Sequence, residues 1–314
     1  MKQKTLSIVI VNYNTRLLIL ACLRTIMKQI GKDFEIIVVD NHSVDGSPQA
    51  IRNEFPEVVI IENDQNLGYA KAVNRGLEKS AGEFILILNS DIDLRPGALR
   101  ESLEFMRKQA DAGIMGCKLL NTDGTLQPSC ESFPTLWNIL CESFFLDKFF
   151  PSSRIFGGLH MTYFTYDRIA KVDRVMGAFL MVRRKAIDDI GLMDEQFFFY
   201  SEEVDWCYRA WQKGWPVYFF PGAEVIHYGG GSANPVSAGL FVERHKNRFL
   251  FYKKNHDIFS SLAVRVIAGA GIVLRLVLWS TITGYAYLRK GPNAATCARK
   301  VGAYWATTKW YVGL

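Results

Sequence analysis

A chain of 314 residues, 49% hydrophobic and 22% charged, with ten prolines and no low-complexity tract, buries a sizeable core, which excludes intrinsic disorder. The formal charge of +6 is unevenly placed. From Arg244 to the end there are twelve Lys or Arg and the single acid Asp257, whereas the first 243 residues hold 25 basic and 30 acidic side chains. A basic tail on a near-neutral body suits nucleic acid or a membrane surface. The tail's run VRVIAGAGIVLRLVLWSTITGYAYL is too apolar for a polyphosphate groove, so nucleic acid is excluded as the partner.

The chain opens with MKQKTLSIVIVNYN, a strand that begins almost at once, which speaks against a signal peptide. Short β-branched runs then alternate with amphipathic segments, the mark of a mostly parallel, Rossmann-like α/β sheet flanked by helices. Strands are expected over 6–11, 35–40, 58–62, 84–88 and 113–118. Helices are expected over 16–30, 47–54, 69–80 and 96–109, the last opened by Pro96. Residues 121–173 form an aromatic-rich insertion, readable as a loop over the site. A strand-like run over 174–183 and a helix capped by Ser201 follow, with Val204, Cys207, Tyr208 and Trp211 facing the core. Another strand spans 216–220. The expected domains are 1–243 and a helical tail, 244–314. Six cysteines, at 22, 117, 130, 141, 207 and 297, show no C-x-x-C pairing and read as core residues of a protein in a reducing compartment.

In such a sheet, ligand residues gather at the carboxyl edge, so Asn12-Tyr13-Asn14, Asp40-Asn41-His42-Ser43 and Asn89-Ser90-Asp91 should meet in space. Asp91 and Asp93 follow a buried strand and offer hard oxygens for Mg²⁺ or Mn²⁺, although acids at strand ends also form ordinary turns. A dinucleotide is excluded, because the first turn, NYNTR, lacks the glycines that admit a pyrophosphate.

The blocks SIVIVNYN, IIVVDNHSVDGS, NLGYAKAVNRG, LNSDIDLRPGAL, GAFLMVRR, GLMDEQFFFYSEEVDWCYR and EVIHYGGGS occur in order over about 6–254. Together they resemble bacterial glycosyltransferase family 2, in its rhamnosyltransferase-like branch. The resemblance implies a GT-A fold that transfers a sugar, with inversion, from a nucleoside-diphosphate sugar. It places the base and ribose against Val11, Tyr13, Asp40 and Asp45, and the nucleotide side against Asn66, Gly68 and Asn74. Asp91 matches the last acid of the family's D-x-D motif and Asn89 stands where its first acid usually does, removing one negative charge beside the Mn²⁺ or Mg²⁺. Asp93 lies outside the motif as a further ligand candidate, and His227 matches a metal-ligating position that also reads as an interior histidine. Glu203 matches the acid expected to deprotonate the acceptor, with Glu202 and Asp205 as neighbours. First-turn acids also complement a helix dipole without any catalytic role. The glycine-rich GGGS after His227 reads as a diphosphate-approaching flap or as a plain loop.

The donor implied first is deoxythymidine-diphosphate rhamnose, and the acceptor a lipid-linked saccharide of cell-surface polysaccharide synthesis. A metal-dependent nucleotidyltransferase and a non-catalytic membrane scaffold stay open beside this reading, as does a homo-oligomer. The tail is expected to lie on or in the plane of the anionic cytoplasmic face of the bacterial inner membrane, with Arg244, Lys246, Arg248, Lys253 and Lys254 near head groups. Arg275, near the middle of the apolar run, would cost about 2.5–3.5 kcal/mol in a spanning helix. A helical hairpin packed on the protein's own core is the alternative.

Overall fold

A computed structural model describes residues 4–29, 31, 33–229, 238–289 and 294–313. Of the GGGS run only Gly229 belongs to them; Gly230, Gly231 and Ser232 lie outside the described residues. In chain order the elements are β1 (Lys4–Asn12), α1 (Arg16–Met27), β2 (Phe34–Asp40), α2 (Ser47–Glu54), β3 (Val59–Glu62), α3 (Tyr69–Lys79) and β4 (Gly82–Asn89). Next come β5 (Ile92–Leu94), α4 (Ala98–Lys108), β6 (Ile114–Leu120), β7 (Leu126–Gln127), β8 (Cys130–Glu131), α5 (Leu136–Ser143) and α6 (Leu146–Phe149). The remainder are β9 (Ala170–Val172), β10 (Arg174–Val175), β11 (Phe179–Arg183), α7 (Arg184–Ile190), α8 (Glu202–Gln212), β12 (Val217–His227), α9 (Ala238–Asn255), α10 (Ile258–Leu288) and α11 (Ala294–Val312).

The chain divides into two compact units: residues 1–133, 164–198 and 202–232, and residues 134–163, 199–201 and 233–314. These units are divided at other places than the expected boundary at 243 and the expected insertion over 121–173. Residues 121–133 and 164–173 stay with the sheet, whereas 134–163 fold with the C-terminal helices. Their apolar side chains are spaced for helix packing, which composition alone does not distinguish from a loop.

The first unit is built on a sheet of order β3-β2-β1-β4-β11-β6-β12-β5. The four strands at its N-terminal side are parallel, as alternation of β-branched runs and helices requires. The central residues of β1 are buried in succession, because helices cover both faces. Ile19, Cys22, Leu23 and Ile26 of α1 pack on one face, and Ala72 of α3 meets Ile37, Val39 and Val11 on the other. Beyond β4 the sheet is mixed: β11 runs antiparallel to β4 and β6, and β5 antiparallel to β12. The run expected as one strand over 174–183 breaks at Met176–Ala178 into β10 and β11, which pair with different partners. Pro96 falls in the turn before α4, where Gly97 takes the left-handed conformation (φ +86°) and ends the turn. All six cysteines are buried and free.

The second unit packs α9, α10 and α11 together with α5. Here α10 is inside-out relative to a water-facing amphipathic helix. Its buried side holds Ser261, Val264, Ala268, Gly271 and Ile272, and Arg265 and Arg275 turn the same way. The outward side presents Leu262, Val266, Val273, Leu274, Val277 and Leu278. Arg275 donates to the carbonyls of Ser143 (2.6 Å), Gly271 (3.2 Å) and Glu142, so its charge meets the carbonyl end of α5 rather than an acyl phase. Gly271 permits that approach, since a Cβ there would come within 2.6 Å of the Ser143 Cβ. By length and composition α10 is sufficient to cross a membrane.

Candidate active site

Register brings the strand ends together. Asn12 stands opposite Asp40, and Val11 opposite Asn89. Asn12 Nδ2 donates to Asp40 Oδ1 (2.7 Å) and Ser43 Oγ (3.0 Å), and the Ser43 N–H donates to Asp40 Oδ2 (2.8 Å). The Thr15 hydroxyl lies 2.7 Å from Asn12 Oδ1 and 2.8 Å from Ser90 Oγ, linking the first two strand ends to the third. Asn14, with φ +53°, accepts the Val44 N–H (2.8 Å) and its own N–H donates to Ser43 (2.9 Å). Tyr13 is half-buried between these tied positions. The three polar clusters therefore form one rim, as the strand pattern required.

The imidazole arrives through a bulge. Strand β12 does not stop at Phe220: it continues through Pro221 and Gly222, and its register against β6 shifts between Phe220 and Glu224. A proline lacks the N–H a ladder needs, so it fits where pairing is interrupted. Past the bulge His227 pairs with Ile92 of β5. Its Nε2 lies 3.4 Å from Asp91 Oδ1 and 3.5 Å from Asn89 Nδ2. On the other side of the ring, Nδ1 is 2.7 Å from Gln127 Oε1. The amide orientation is fixed by a chain of donors: Asn121 Nδ2 donates to Thr125 and to the Leu126 carbonyl, leaving Asn121 Oδ1 to accept from Gln127 Nε2 (3.1 Å). Gln127 therefore presents its oxygen to His227, whose Nδ1–H donates to it, and Nε2 is left turned toward Asp91.

Asp91 and His227 would offer one carboxylate oxygen and one oriented imidazole nitrogen, donors that suit a hard divalent cation. Among the described residues no group of three or more His, Cys, Asp or Glu is placed to hold a metal. Asp93 therefore does not join Asp91 and His227; it sits between buried Ile92 and Leu94 and pairs with Ile226. Sequence gave no signal for Gln127, an isolated amide in the insertion. Gln127→Leu is expected to weaken Mn²⁺ binding by about 10–100-fold, measured by calorimetric titration, with folding unchanged; an unaltered affinity would refute the orienting role.

The acids at the start of α8 divide by environment. Glu203 accepts from Arg174 Nη1 (2.9 Å), and Arg174 also bonds Glu131. Burial opposes the Arg174 charge, but Glu131 and Glu203 hold its pKa above the ordinary value. Asp205 is buried against Arg209 Nε (2.8 Å), whose other nitrogens bond the carbonyls of Ile190 and Leu192 (2.8 Å to the latter). Asp205 thus fixes the turn between α7 and α8. Glu202 is buried, its Oε2 has no hydrogen-bond partner among the described residues, and burial with the charge of Glu203 pushes its pKa well up.

Tyr69 ties this group to the strand ends. Its hydroxyl donates to Asn89 Oδ1 (3.2 Å), and burial raises its pKa, reinforced by the charges of Glu202, Glu203 and Asp91. Because the folded state disfavours ionised Glu202, its contribution to stability is complete below about pH 4 and is lost as pH rises toward the raised value. Glu202→Gln is accordingly expected to raise Tm at neutral and alkaline pH and to leave it unchanged in acid, read from melts across pH. The expected Ser201 cap is corrected: Tyr200 and Ser201 have φ of +74° and +71°, outside the extended region an N-cap adopts.

On the nucleotide side, Asn41 organises the loop. Its Nδ2 donates to Asn66 Oδ1 (2.8 Å) and the Gly68 carbonyl (3.2 Å), and its Oδ1 accepts from Asn63 and the Leu67 N–H. Gly68 has φ +83°, and a Cβ there would lie 2.5 Å from the Phe198 carbonyl, so only glycine fits. The Asn74 amide bonds both the carbonyl and N–H of Met193 (2.9 and 3.0 Å) and reaches Glu195 (3.1 Å), holding the loop before α8. Asp45 bonds the N–H groups of Arg16 and Ser47 and the Ser47 hydroxyl at the start of α2. Partial burial works against its charge, yet these bonds hold its pKa below the usual carboxylate range.

Residues 7–191, more than half of the chain, match the sequence profile of glycosyl transferase family 2. The chain belongs to that family. This glycosyltransferase is 27% identical over 267 residues to an N-acetylglucosaminyl-diphospho-decaprenol L-rhamnosyltransferase of Mycobacterium tuberculosis, covering 76% of this chain and 81% of that one. It is 29% identical over 125 residues to a GalNAc(5)-diNAcBac-PP-undecaprenol beta-1,3-glucosyltransferase of Campylobacter jejuni, covering 38% and 40% of the two chains. A mannosyltransferase from Pyrobaculum calidifontis, solved with GDP-Man and Mn²⁺, matches with TM-score 0.57 and 14% identity over 99% of this chain and 88% of that one. Such a likeness speaks for the fold, a GT-A sheet with flanking helices. The profile of the glycosyltransferase family ends before Glu203 and His227, so the roles of those two rest on their geometry and on the sequence blocks around them.

Proposed function

We propose that this glycosyltransferase moves a sugar, with inversion, from a nucleoside-diphosphate donor to a lipid-linked saccharide at the cytoplasmic face of the bacterial membrane. Deoxythymidine-diphosphate rhamnose is the donor to try first. The observation that carries the reading is the meeting of Asp91, His227 and Asn89 at the edge where Asp40 is fixed by Asn12, with the Tyr69 hydroxyl within reach of both Asn89 and the carbonyl of Gly177, the residue packed beside Glu203. Two relatives, a diphospho-decaprenol rhamnosyltransferase and a PP-undecaprenol glucosyltransferase, support the acceptor class.

Asp40 and the Asn41-held loop bound the nucleoside. Asp91 and His227 would hold a divalent cation, which offsets the charge developing on the leaving diphosphate. Glu203 takes the proton of the acceptor hydroxyl as that oxygen attacks the anomeric carbon. Arg174 and Glu131 fix its carboxylate, and Asp205 with Arg209 fixes the helix that carries it. The outward apolar side of α10 and the tail's basic charge keep enzyme and lipid acceptor on one surface, which raises their effective concentration.

The experiment is a thermal-shift screen of nucleoside diphosphates with and without Mn²⁺, followed by product analysis with the matching labelled nucleotide-sugar and a polyprenyl-diphosphate saccharide. Metal-dependent stabilisation and labelled lipid product are expected. Release of diphosphate from a nucleoside triphosphate in place of sugar transfer would overturn the reading.

A further inference from the structure

Within the helical unit, a cavity of about 180 Å³ opens between α5, α9, α10 and α11. It is too small for a whole nucleotide-sized molecule, whose pockets run roughly 300–1,000 Å³, and it has room for a phosphate group with water. Its charge is one-sided: Arg244, Arg248 and Arg275 face a single carboxylate, Glu142. That carboxylate is already taken. Arg248 grips it through two nitrogens (2.6 and 3.3 Å), and His160 Nε2 stands 3.7 Å away. Burial works against Glu142's charge, but Arg248, His160 and the field of Arg244 hold its pKa well below the carboxylate range. Arg275 directs three of its five N–H donors at neutral carbonyls, and the Arg244 side chain makes no hydrogen bond among the described residues. Among the described residues of the cavity wall, three guanidinium groups therefore share one carboxylate. His245, on the same wall, is pushed down to about 3 by burial and by these arginines, so it stays neutral at physiological pH.

The helix that supplies Ala268, Ile272 and Arg275 to the cavity turns Val266, Val273, Leu274 and Val277 outward. A polar anion and an apolar chain are thus offered binding on two sides of one helix. We propose that the cavity is a binding site for the phosphate group of a lipid, held by Arg244 and Arg275 with Arg248 behind them. Guanidinium planes suit phosphate oxygens, which take two parallel N–H bonds from one fork. The proposal rests on the membrane reading of the helical unit and is independent of the sugar donor. A polyprenyl diphosphate and a phospholipid with a terminal phosphate present the same chemistry.

The test is co-sedimentation of the full chain with vesicles of phosphatidylcholine alone, or with phosphatidylglycerol, phosphatidic acid or undecaprenyl diphosphate added to equal surface charge. Tighter binding to the vesicles with terminal phosphates than to phosphatidylglycerol is expected. Arg244→Ala should remove about fivefold of that affinity and leave binding to phosphatidylcholine unchanged, while Arg244→Lys restores part. Ala268→Leu, which fills the cavity without altering charge, should act like Arg244→Ala. Preference for undecaprenyl diphosphate over phosphatidic acid would identify the acceptor as the source; equal binding would identify a phospholipid. Equal binding to all anionic vesicles, or a preference that survives Arg244→Ala, overturns the site and leaves the membrane reading standing. Thermal stabilisation by inorganic phosphate with no vesicle preference overturns the lipid assignment. Binding to no vesicle overturns the site and the membrane reading together, and leaves sugar transfer to be judged by its own assay.

Discussion

Asp91→Ala is expected to lower kcat for sugar transfer by about 10³-fold or more, the loss that follows removal of a group stabilising charge on the leaving oxygen. The structure separates this from a folding defect. β5 is held to β12 by backbone pairing, extended by the Asp91 carbonyl, which accepts the Tyr228 N–H (3.0 Å), and a side-chain truncation spares both. The variant should keep its far-UV circular dichroism and its stabilisation by nucleoside, while losing the extra stabilisation that Mn²⁺ confers with the diphosphate. His227→Ala should lose that same increment, since the two side chains lie 3.4 Å apart. A variant at position 91 turning over within tenfold of the native enzyme would remove the metal assignment. Asn89→Asp restores the motif's missing charge beside the same pair.

Glu203→Gln is expected to reduce kcat by about 10²–10⁴-fold, with donor KM little altered. Glutamine keeps an oxygen for Arg174, which remains paired with Glu131, so the fold should survive. Its two neighbours serve as controls because their environments differ. Asp205→Asn breaks a buried ion pair with Arg209 and should cost about 3–5 kcal/mol of stability, visible in denaturant melts before any kinetic assay. Glu202→Gln should retain turnover, since burial already favours its protonated form and a protonated carboxyl takes no proton. If position 202 abolished turnover and position 203 spared it, the base would have to be reassigned.

The same contrast shows what could be read along the chain. Strands β1, β2 and β4 and helices α2 and α3 follow from β-branched runs and from helical spacing, local properties that a short window contains. Parallel order then forces Asn12, Asp40 and Asn89 to one edge, a juxtaposition legible from the strand pattern alone. Asp205 and Glu203 were not separable, because two acids in one helical turn differ only in what lies opposite: Arg209 four residues on, or Arg174 from another strand. That Asn74 holds the Met193 backbone, 119 residues away, is likewise visible only in the fold.

The tail carries the lesson further. Its composition specified long apolar helices with a polar stripe, and nothing in that periodicity states which side turns inward. Arg275 finds its partners at Ser143 and Glu142, more than a hundred residues earlier, and Arg248 pairs with Glu142 instead of reaching outward with Lys253 and Lys254. Gln127 likewise meets His227 across a separation of 100 residues. Hydrophobic period, strand order and the acids at strand ends are set by neighbours in the chain. Pairing of charges, the tautomer of an imidazole and the inward face of a helix depend on distant groups, because burial makes a polar atom's energy hinge on the one partner folding brings to it.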